Sequence, residues 1–355
     1  MPADIGSIEF YTGPDILGGP DSLKDTILNF IGDADKSLDV AVQELDDLEI
    51  AGAFVDALQR GVRVRLILEK DYLIAPNPPD DVYQPGGRYE ENRNILSIMY
   101  RAGAQVYADF NPGIFHQKFI IRDGKSLLTG STNFTSTGIK KNLNHLIIVN
   151  NRYILKQYIA EFNEMLKGRF GQQSLPDFKA PKKYKVSRVP VKPLFAPEHG
   201  PEMEIMKQMM KAKKSIHFAI FTFAQSSGID DTMRVLSRSG IKIKGVMDGR
   251  QANQEWAATH PIHAEENIEL YTVKPQGGLG KLHHKLMVID DNIIIAGSFN
   301  YTGPANYIND ENILVIGECN PKDAAVKERQ NILANYAIDE IERIITDFGE
   351  LYTGD

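Results

Sequence analysis

Apolar and polar positions alternate in short runs along most of the chain, and stretches with helical spacing separate these runs. Residues 8–12 (IEFYT) alternate as a strand, and Asp21 is placed to cap a helix through Phe30 that turns Leu23, Ile27 and Phe30 inward. Lys36 to Val42 (KSLDVAV) has the period of a strand. Leu48 to Arg60 carries Ile50, Phe54 and Leu58 at helical spacing, stops at Gly61, and is followed by the strand VRVRLIL. Helix and strand in repeated succession predict βαβ units and a parallel or mixed sheet. Ala75 to Asn94, rich in proline and holding Gly86 and Gly87, reads as a long loop. A helix over about Arg93 to Arg101, strands over Gln105 to Ala108 and 146–149, and a helix over Tyr153 to Leu166 complete a first half. The order then restarts with a helix through Met206, Met209 and Met210, the strand KSIHFAIFTF, a helix ending near Gly240, and the strands IKIKGVMD and IELYTV. Ile332, Ile338, Ile341 and Ile345 mark one or two closing helices between Ala325 and Phe348.

KSIHFAI echoes KSLDVAV, and the echo is strongest between HQKFIIRDGKSLLTGSTNFTSTGIKKN (116–142) and HHKLMVIDDNIIIAGSFNYTGPANYIN (283–309). At a constant offset of 167 residues, with no gap, the copies align His116 with His283, Lys118 with Lys285, and Asp123 with Asp290. Gly130 falls on Gly297, Ser131 on Ser298, Asn133 on Asn300 and Asn142 on Asn309. The positions between them vary, as in Arg122 against Ile289. A repeat that keeps an imidazole, an ammonium, a carboxylate, a hydroxyl and an amide points to chemistry rather than to packing. Strand alternation puts His116, Lys118 and Ile120 on one face, so the imidazole and the ammonium point the same way. The Gly-Ser-x-Asn turn is expected to bring Ser131 and Asn133 back to the same edge.

The pattern H-x-K-x4-D followed by G-S-x-N resembles the HKD signature of the phospholipase D superfamily, and the resemblance covers most of the chain. It implies an α/β fold of two phospholipase D-like lobes, each a mixed β-sheet flanked by helices, related by a pseudo-twofold. The expected division is a first repeat over 1–178, a basic linker over 179–192 and a second repeat over 193–355. The family includes phospholipases, phospholipid synthases, nucleases and a DNA-repair phosphodiesterase. A phosphodiester needs a nucleophile, a proton for its leaving alkoxide and positive charge around its nonbridging oxygens, and one histidine cannot easily supply the first two together. The expected catalytic set is therefore His116, Lys118, Asp123, His283, Lys285 and Asp290, with Asp123 and Asp290 weighted toward fixing the strand turn. Ser131, Asn133, Ser298 and Asn300 are expected to add donors to the phosphate. With the lysines these supply what a cation otherwise gives, so neither a metal nor another cofactor is expected. Family members carry a carboxylate about ten residues after the turn that accepts a hydrogen bond from the catalytic imidazole. Here the second half has Glu311, expected to support His283, while the first half offers His116 only the amide of Asn144. The resemblance makes His116 the nucleophile and His283 the acid, and the reverse assignment stays open.

Composition narrows the reading further. A net charge of −7 with 42% apolar and 25% charged residues describes a globular protein that does not coat a polyanion nonspecifically, so basic surface is local, as in Lys179 to Lys192. The single cysteine, Cys319, excludes an internal disulfide, and His260 and His263 lack partners for a metal site. The N-terminal residues have no signal-peptide pattern and no run approaches about 18 apolar residues, so a cytoplasmic protein without stable membrane association is expected. Nucleic acid, DNA or RNA, is the expected substrate and partner: little lies beyond the two repeats, the linker is basic, and Phe115, Phe134 and Tyr301 stand beside the motifs where bases could stack. The alternative, a phospholipase D or transphosphatidylase, calls for an apolar mouth that loops 73–93 and 277–280 do not spell out. Both half-sites lie in one chain, so a monomer suffices for activity and a dimer is possible but not required.

Overall fold

The structure is a computed structural model that describes residues 1–72, 90–177 and 179–354. Two mixed sheets of nine strands carry the two repeats. The first contains β1 (Ala3–Asp4), β2 (Ile8–Gly13), β3 (Ser37–Val42), β4 (Arg63–Glu69), β5 (Gln105–Asp109), β6 (Lys118–Arg122), β7 (Ser126–Gly130) and β8 (Asn142–Val149), in the order β1-β2-β8-β7-β6-β3-β4-β5. The second contains β9 (Tyr184–Val186), β10 (Val189–Ala196), β11 (Ser215–Ile220), β12 (Lys242–Asp248), β13 (Ile268–Val273), β15 (Lys285–Ile289), β16 (Ile293–Gly297), β17 (Glu311–Ile316) and β18 (Gly349–Leu351), in the order β18-β13-β12-β11-β15-β16-β17-β10-β9. The short β14 (Lys281–Leu282) belongs by sequence to the second half, yet it pairs in parallel with β8 and so extends the first sheet. In each sheet three parallel strands, β3-β4-β5 and β11-β12-β13, join an antiparallel set that carries the repeated motif.

Helices cover the outer face of each sheet: Leu23–Gly32, Leu48–Gln59 and Glu90–Arg101 on the first, Pro201–Met209 and Ile229–Arg238 on the second. The inner faces share one core with the helices Arg152–Met165 and Ala324–Phe348, where Phe119, Tyr158, Phe162, Leu286, Leu333 and Ile341 pack together. Burial of this shared core leaves the halves no freedom to act as separate modules, because parting them would expose it to water. The closing segment is therefore a single helix, capped by the Asp323 side chain.

Three expectations change. The basic stretch 179–192 is not a tether, because most of it is the edge hairpin β9-β10 of the second sheet, equivalent in position to β1-β2 in the first. Val186, Val189 and Val191 are fully buried while Lys192 turns outward to Glu204 at 2.7 Å, so a strand alternation lay beneath the charge. The helix after β2 is capped by Ser22, which accepts from Asp25 N; Asp21 accepts from Thr12 N at 2.9 Å instead. The loop expected over Ala75 to Asn94 falls mostly outside the described residues, and its last positions already belong to the helix Glu90–Arg101.

Candidate active site

Each motif histidine stands just before the strand that carries its lysine, at the edge where the two sheets meet. The peptide ahead of His116 pairs with the other half through a Phe115–Asp310 bridge, and His116 N donates to Asp310 O at 2.9 Å. The peptide ahead of His283 does the same on the first half: β14 pairs with β8, and His283 N donates to Leu143 O at 2.9 Å. Because the backbones cross over, so do the side-chain supports. His116 Nδ1 lies 2.7 Å from Glu311 Oε2, and His283 Nδ1 lies 2.9 Å from Asn144 Oδ1. The expected pairing of Glu311 with His283 and Asn144 with His116 is thus reversed. The carboxylate serves the first histidine.

The network fixes the roles of these atoms. Asn144 Nδ2 donates to Gly138 O at 2.9 Å, so its Oδ1 faces the imidazole and His283 Nδ1 must be the donor. Glu311 accepts from His116, which makes Nδ1–H the donor there too. Both Nε2 atoms are left for a substrate.

Ser131 and Ser298 do not face the phosphate site as expected. Both are fully buried, Ser131 Oγ donating to Asn144 Oδ1 at 2.8 Å and Ser298 Oγ to Glu311 Oε2 at 2.6 Å, so the serines anchor the histidine supports. The glycine before each serine lets the strands approach: a Cβ on Gly130 would lie 2.3 Å from His145 O, and one on Gly297 2.2 Å from Asn312 O. Among the described residues Asn133 and Asn300 each keep a buried Oδ1 without a partner. Asp123 and Asp290 lie at the far ends of β6 and β15, away from the histidines, which removes them from the reacting groups. Asp123 accepts from the backbone N–H groups of Asp35, Lys36 and Ser37 at 3.1, 2.7 and 2.9 Å. Asp290 accepts from Lys213, Lys214 and Ser215 in the same way.

Lys118 and Lys285 are almost fully buried, at 1% and 2% exposure, and among the described residues neither has a carboxylate partner within ion-pair distance. Lys118 Nζ donates to Gln43 Oε1 and His116 O, and Lys285 Nζ to His283 O. Burial lowers both ammonium groups, Lys118 to about 7, with Glu311 acting in the opposite direction on each. Burial and the two lysines likewise hold His116 and His283 well below the ordinary imidazole range. Two unpaired buried ammonium groups beside two neutral imidazoles form a site whose charge is completed by an anion. Glu311 is itself raised by burial, opposed by Lys118, Ser298 and Lys285.

Sequence reasoning missed several neighbours. Gln43 on the Lys118 side corresponds to Phe221 on the other, whose ring lies 5.0 Å from Lys285 Nζ and 4.9 Å from the His283 ring. Extending the KSLDVAV and KSIHFAI repeat by one position reveals this pair. Lys281 Nζ, 5.3 Å from Phe221, and the half-buried Glu44, raised to about 7 by burial and Asp46, complete that side. Phe115, Phe134 and Tyr301 are buried in the cores and are not available to stack on bases.

Residues 27–166 and 205–333 match the family described as cardiolipin synthase, PLD-like domain, and the chain belongs to this phospholipase D-like family. Among curated proteins it is 32% identical over 136 residues to a phospholipase D of Rickettsia felis, covering 38% of this chain and 60% of that protein. It is 30% identical over 132 residues to a mitochondrial cardiolipin hydrolase of Xenopus laevis, covering 37% of this chain and 55% of that protein. The matched regions thus span little more than half the length of these relatives. The solved phosphatidylserine synthase of Haemophilus influenzae shares the fold over 99% of this chain and 88% of its own, with a TM-score of 0.68 and 13% identity. Among the described residues no helix is long and apolar enough to cross a membrane.

Proposed function

We propose that the protein is a phosphodiesterase that works through a phosphohistidine on His116 and needs no divalent cation. The observation that carries this is the crossed pair of supports, Glu311 on His116 and Asn144 on His283, which hold both Nδ1 atoms while the buried Lys118 and Lys285 act on both imidazoles. His116 Nε2 attacks phosphorus while His283, which takes up a proton as the anionic substrate binds and so carries both Nδ1–H and Nε2–H, protonates the departing oxygen from Nε2. The phosphorylated imidazole is cationic and keeps its Nδ1–H on the Glu311 carboxylate. His283, now neutral, takes a proton from water; the resulting hydroxide attacks phosphorus, the P–N bond breaks, and a phosphomonoester leaves. Lys118 and Lys285 bind the nonbridging oxygens through both steps, joined by the amides of Asn133 and Asn300.

The rims favour a phospholipid as substrate. Phe110, Ile114, Tyr307 and Ile308 are exposed, and they gather where Gly113, three residues before His116, packs on the Ile308 carbonyl. At the 167-residue offset their counterparts are Gly277, Lys281, Lys140 and Lys141. One rim is apolar and the other cationic, which suits a phosphodiester with an apolar group on one side and a polar group on the other. The named relatives, a phospholipase D and a cardiolipin hydrolase, support the same reading. The cationic rim by itself also suits a nucleic-acid strand, and this is the second reading. The test is hydrolysis, in excess EDTA, of phosphatidylcholine, cardiolipin, single-stranded DNA and RNA by the wild type and by His116→Ala and His283→Ala. Lipid cleavage that survives EDTA and disappears in both variants supports the proposal; cleavage of nucleic acid alone transfers it to the second reading, and loss of activity in EDTA refutes the cation-free mechanism.

A further inference from the structure

Behind His283 lies a second pair of imidazoles that the proposed chemistry does not use. His145 and His284 are fully buried, their rings 7° from parallel with centroids 5.4 Å apart and Nδ1 atoms 3.2 Å apart. An imidazole nitrogen either donates or accepts, so one proton lies between them. His284 Nε2 faces Glu340 Oε1 at 3.4 Å, and Arg343 closes the chain with bonds of 2.8 and 2.9 Å to the two Glu340 oxygens. His145 meets Phe10 edge-on on its other side.

At the 167-residue offset the counterparts of His284 and His145 are Gln117 and Asn312, where Asn312 Nδ2 donates to Gln117 Oε1 at 2.6 Å. The same crossing therefore has an amide pair behind His116 and an imidazole pair behind His283. Each pair joins the two backbones that meet at the front contact. Neighbouring residues on an extended backbone point to opposite faces, so Asn144 and His283 turn toward the site while His145 and His284 turn away from it. A bond between the rear side chains sets how closely the front ones approach. His116 has a carboxylate in front at 2.7 Å, a strong contact in its own right, whereas His283 has only the neutral amide of Asn144 at 2.9 Å. The rear bond matters more on the His283 side.

We propose that His145 and His284 are positioning residues that hold the His283 imidazole on Asn144 with its Nε2 aimed at the leaving oxygen. The proposal rests on the reading of His283 as the general acid. That role gives a readout which simple loss of structure does not, because a good leaving group departs without a proton and a poor one does not.

The experiment compares phosphatidylcholine with phosphatidyl-4-nitrophenol, which differ only in the leaving group, for the wild type, His284→Ala and the double variant H145N/H284Q that installs the amide pair of the other half. Thermal melts identify folded variants, and His284→Asn replaces His284→Ala if alanine unfolds the core. The expected result is a kcat loss on phosphatidylcholine about tenfold or more greater than on the nitrophenyl ester, with KM little changed, and recovery to within a few-fold in the double variant. Equal losses on both substrates, or no loss, overturn the positioning role. Failure of the wild type to cleave either lipid overturns the function proposed above and, with it, this inference.

Discussion

Glu311→Gln removes one charge from the site while keeping an oxygen where His116 Nδ1–H and Ser298 Oγ–H converge, at 2.7 and 2.6 Å. In the free protein the effect on structure is small, because the side chain keeps its length and an acceptor. On the proposed mechanism it is large in the phosphohistidine, because the His116 ring becomes cationic in a buried setting and loses its counter-charge. A hydrogen bond to a charged group contributes roughly 1.5–3 kcal/mol. At about 1.4 kcal/mol per factor of ten, the expected loss in kcat is about 10- to 100-fold. The assay is the rate of 4-nitrophenol release from phosphatidyl-4-nitrophenol, together with acid-labile phosphate trapped on the protein by rapid quenching. The loss falls equally on good and poor leaving groups, since it acts on the nucleophile. Activity within about twofold of wild type refutes the assignment of Glu311 as counter-charge, and a loss confined to poor leaving groups exchanges the two histidine roles.

Two further outcomes follow from groups around the site. Lys118→Met abolishes hydrolysis yet raises Tm at about pH 7 in oxyanion-free buffer, because a buried ammonium without a carboxylate partner is replaced by an apolar side chain of similar length. The folded-state value of Lys118 is lowered from 10.5 to about 7, so the cost of charging it is fully present below the folded value and vanishes above the unfolded one. The Tm advantage of Lys118→Met over wild type therefore shrinks as pH rises from about 7 to about 9, and inorganic phosphate narrows it at about pH 7; an advantage independent of pH and phosphate refutes the reasoning. Asp123→Asn leaves one carbonyl oxygen for three backbone donors and is expected to cost about 1 kcal/mol, a drop of about 1–2 °C in Tm, with kcat/KM unchanged. Burial pushes the Asp123 carboxyl up, but the bonds from Ser37, Asp35 and Lys36 outweigh it and hold the group low, so its contribution is lost only as pH falls through that lowered value. A large fall in kcat would place Asp123 among the reacting groups after all.

The repeat was legible because it lies within the chain itself: side chains that recur at a fixed offset name the histidines, the lysines and the glycines without reference to any contact. Which half supports which histidine was not legible. That depends on β14 and the Phe115–Asp310 bridge, where backbones far apart in sequence pair in register, and no local pattern encodes the pairing. The serines misled for a related reason. Their place beside the motif suggested the phosphate, but the close approach permitted by Gly130 and Gly297 turns them onto Asn144 and Glu311. In the stretch 179–192 six cations outweighed the buried alternation of Val186, Val189 and Val191, and strand spacing was the better guide. The apolar rim of Phe110, Ile114, Tyr307 and Ile308 comes from one loop and the end of the short helix Gly303–Tyr307, each too short to read as an interfacial surface until the fold joins them.

The substitutions between the halves share one direction, and together they argue for how a substrate lies. Around His116 stand a carboxylate in front, a neutral amide pair behind and an apolar rim; around His283 stand an amide in front, an imidazole pair behind, and Phe221, Lys281 and Glu44 at the mouth. A side that must carry a transient cation gains from a buried negative charge, which the His116 side has and the His283 side lacks. A side that hands over a proton and releases a polar group gains from mixed charge close to solvent, as Lys281 and Glu44 provide. On the proposed reading the apolar portion of the phosphodiester stays with His116 along the Phe110 and Ile308 rim, while the polar head group departs past His283. Exchanging Ile114 and Ile308 for lysine would make the two rims alike, and it is expected to weaken the selection of this orientation without touching the histidines.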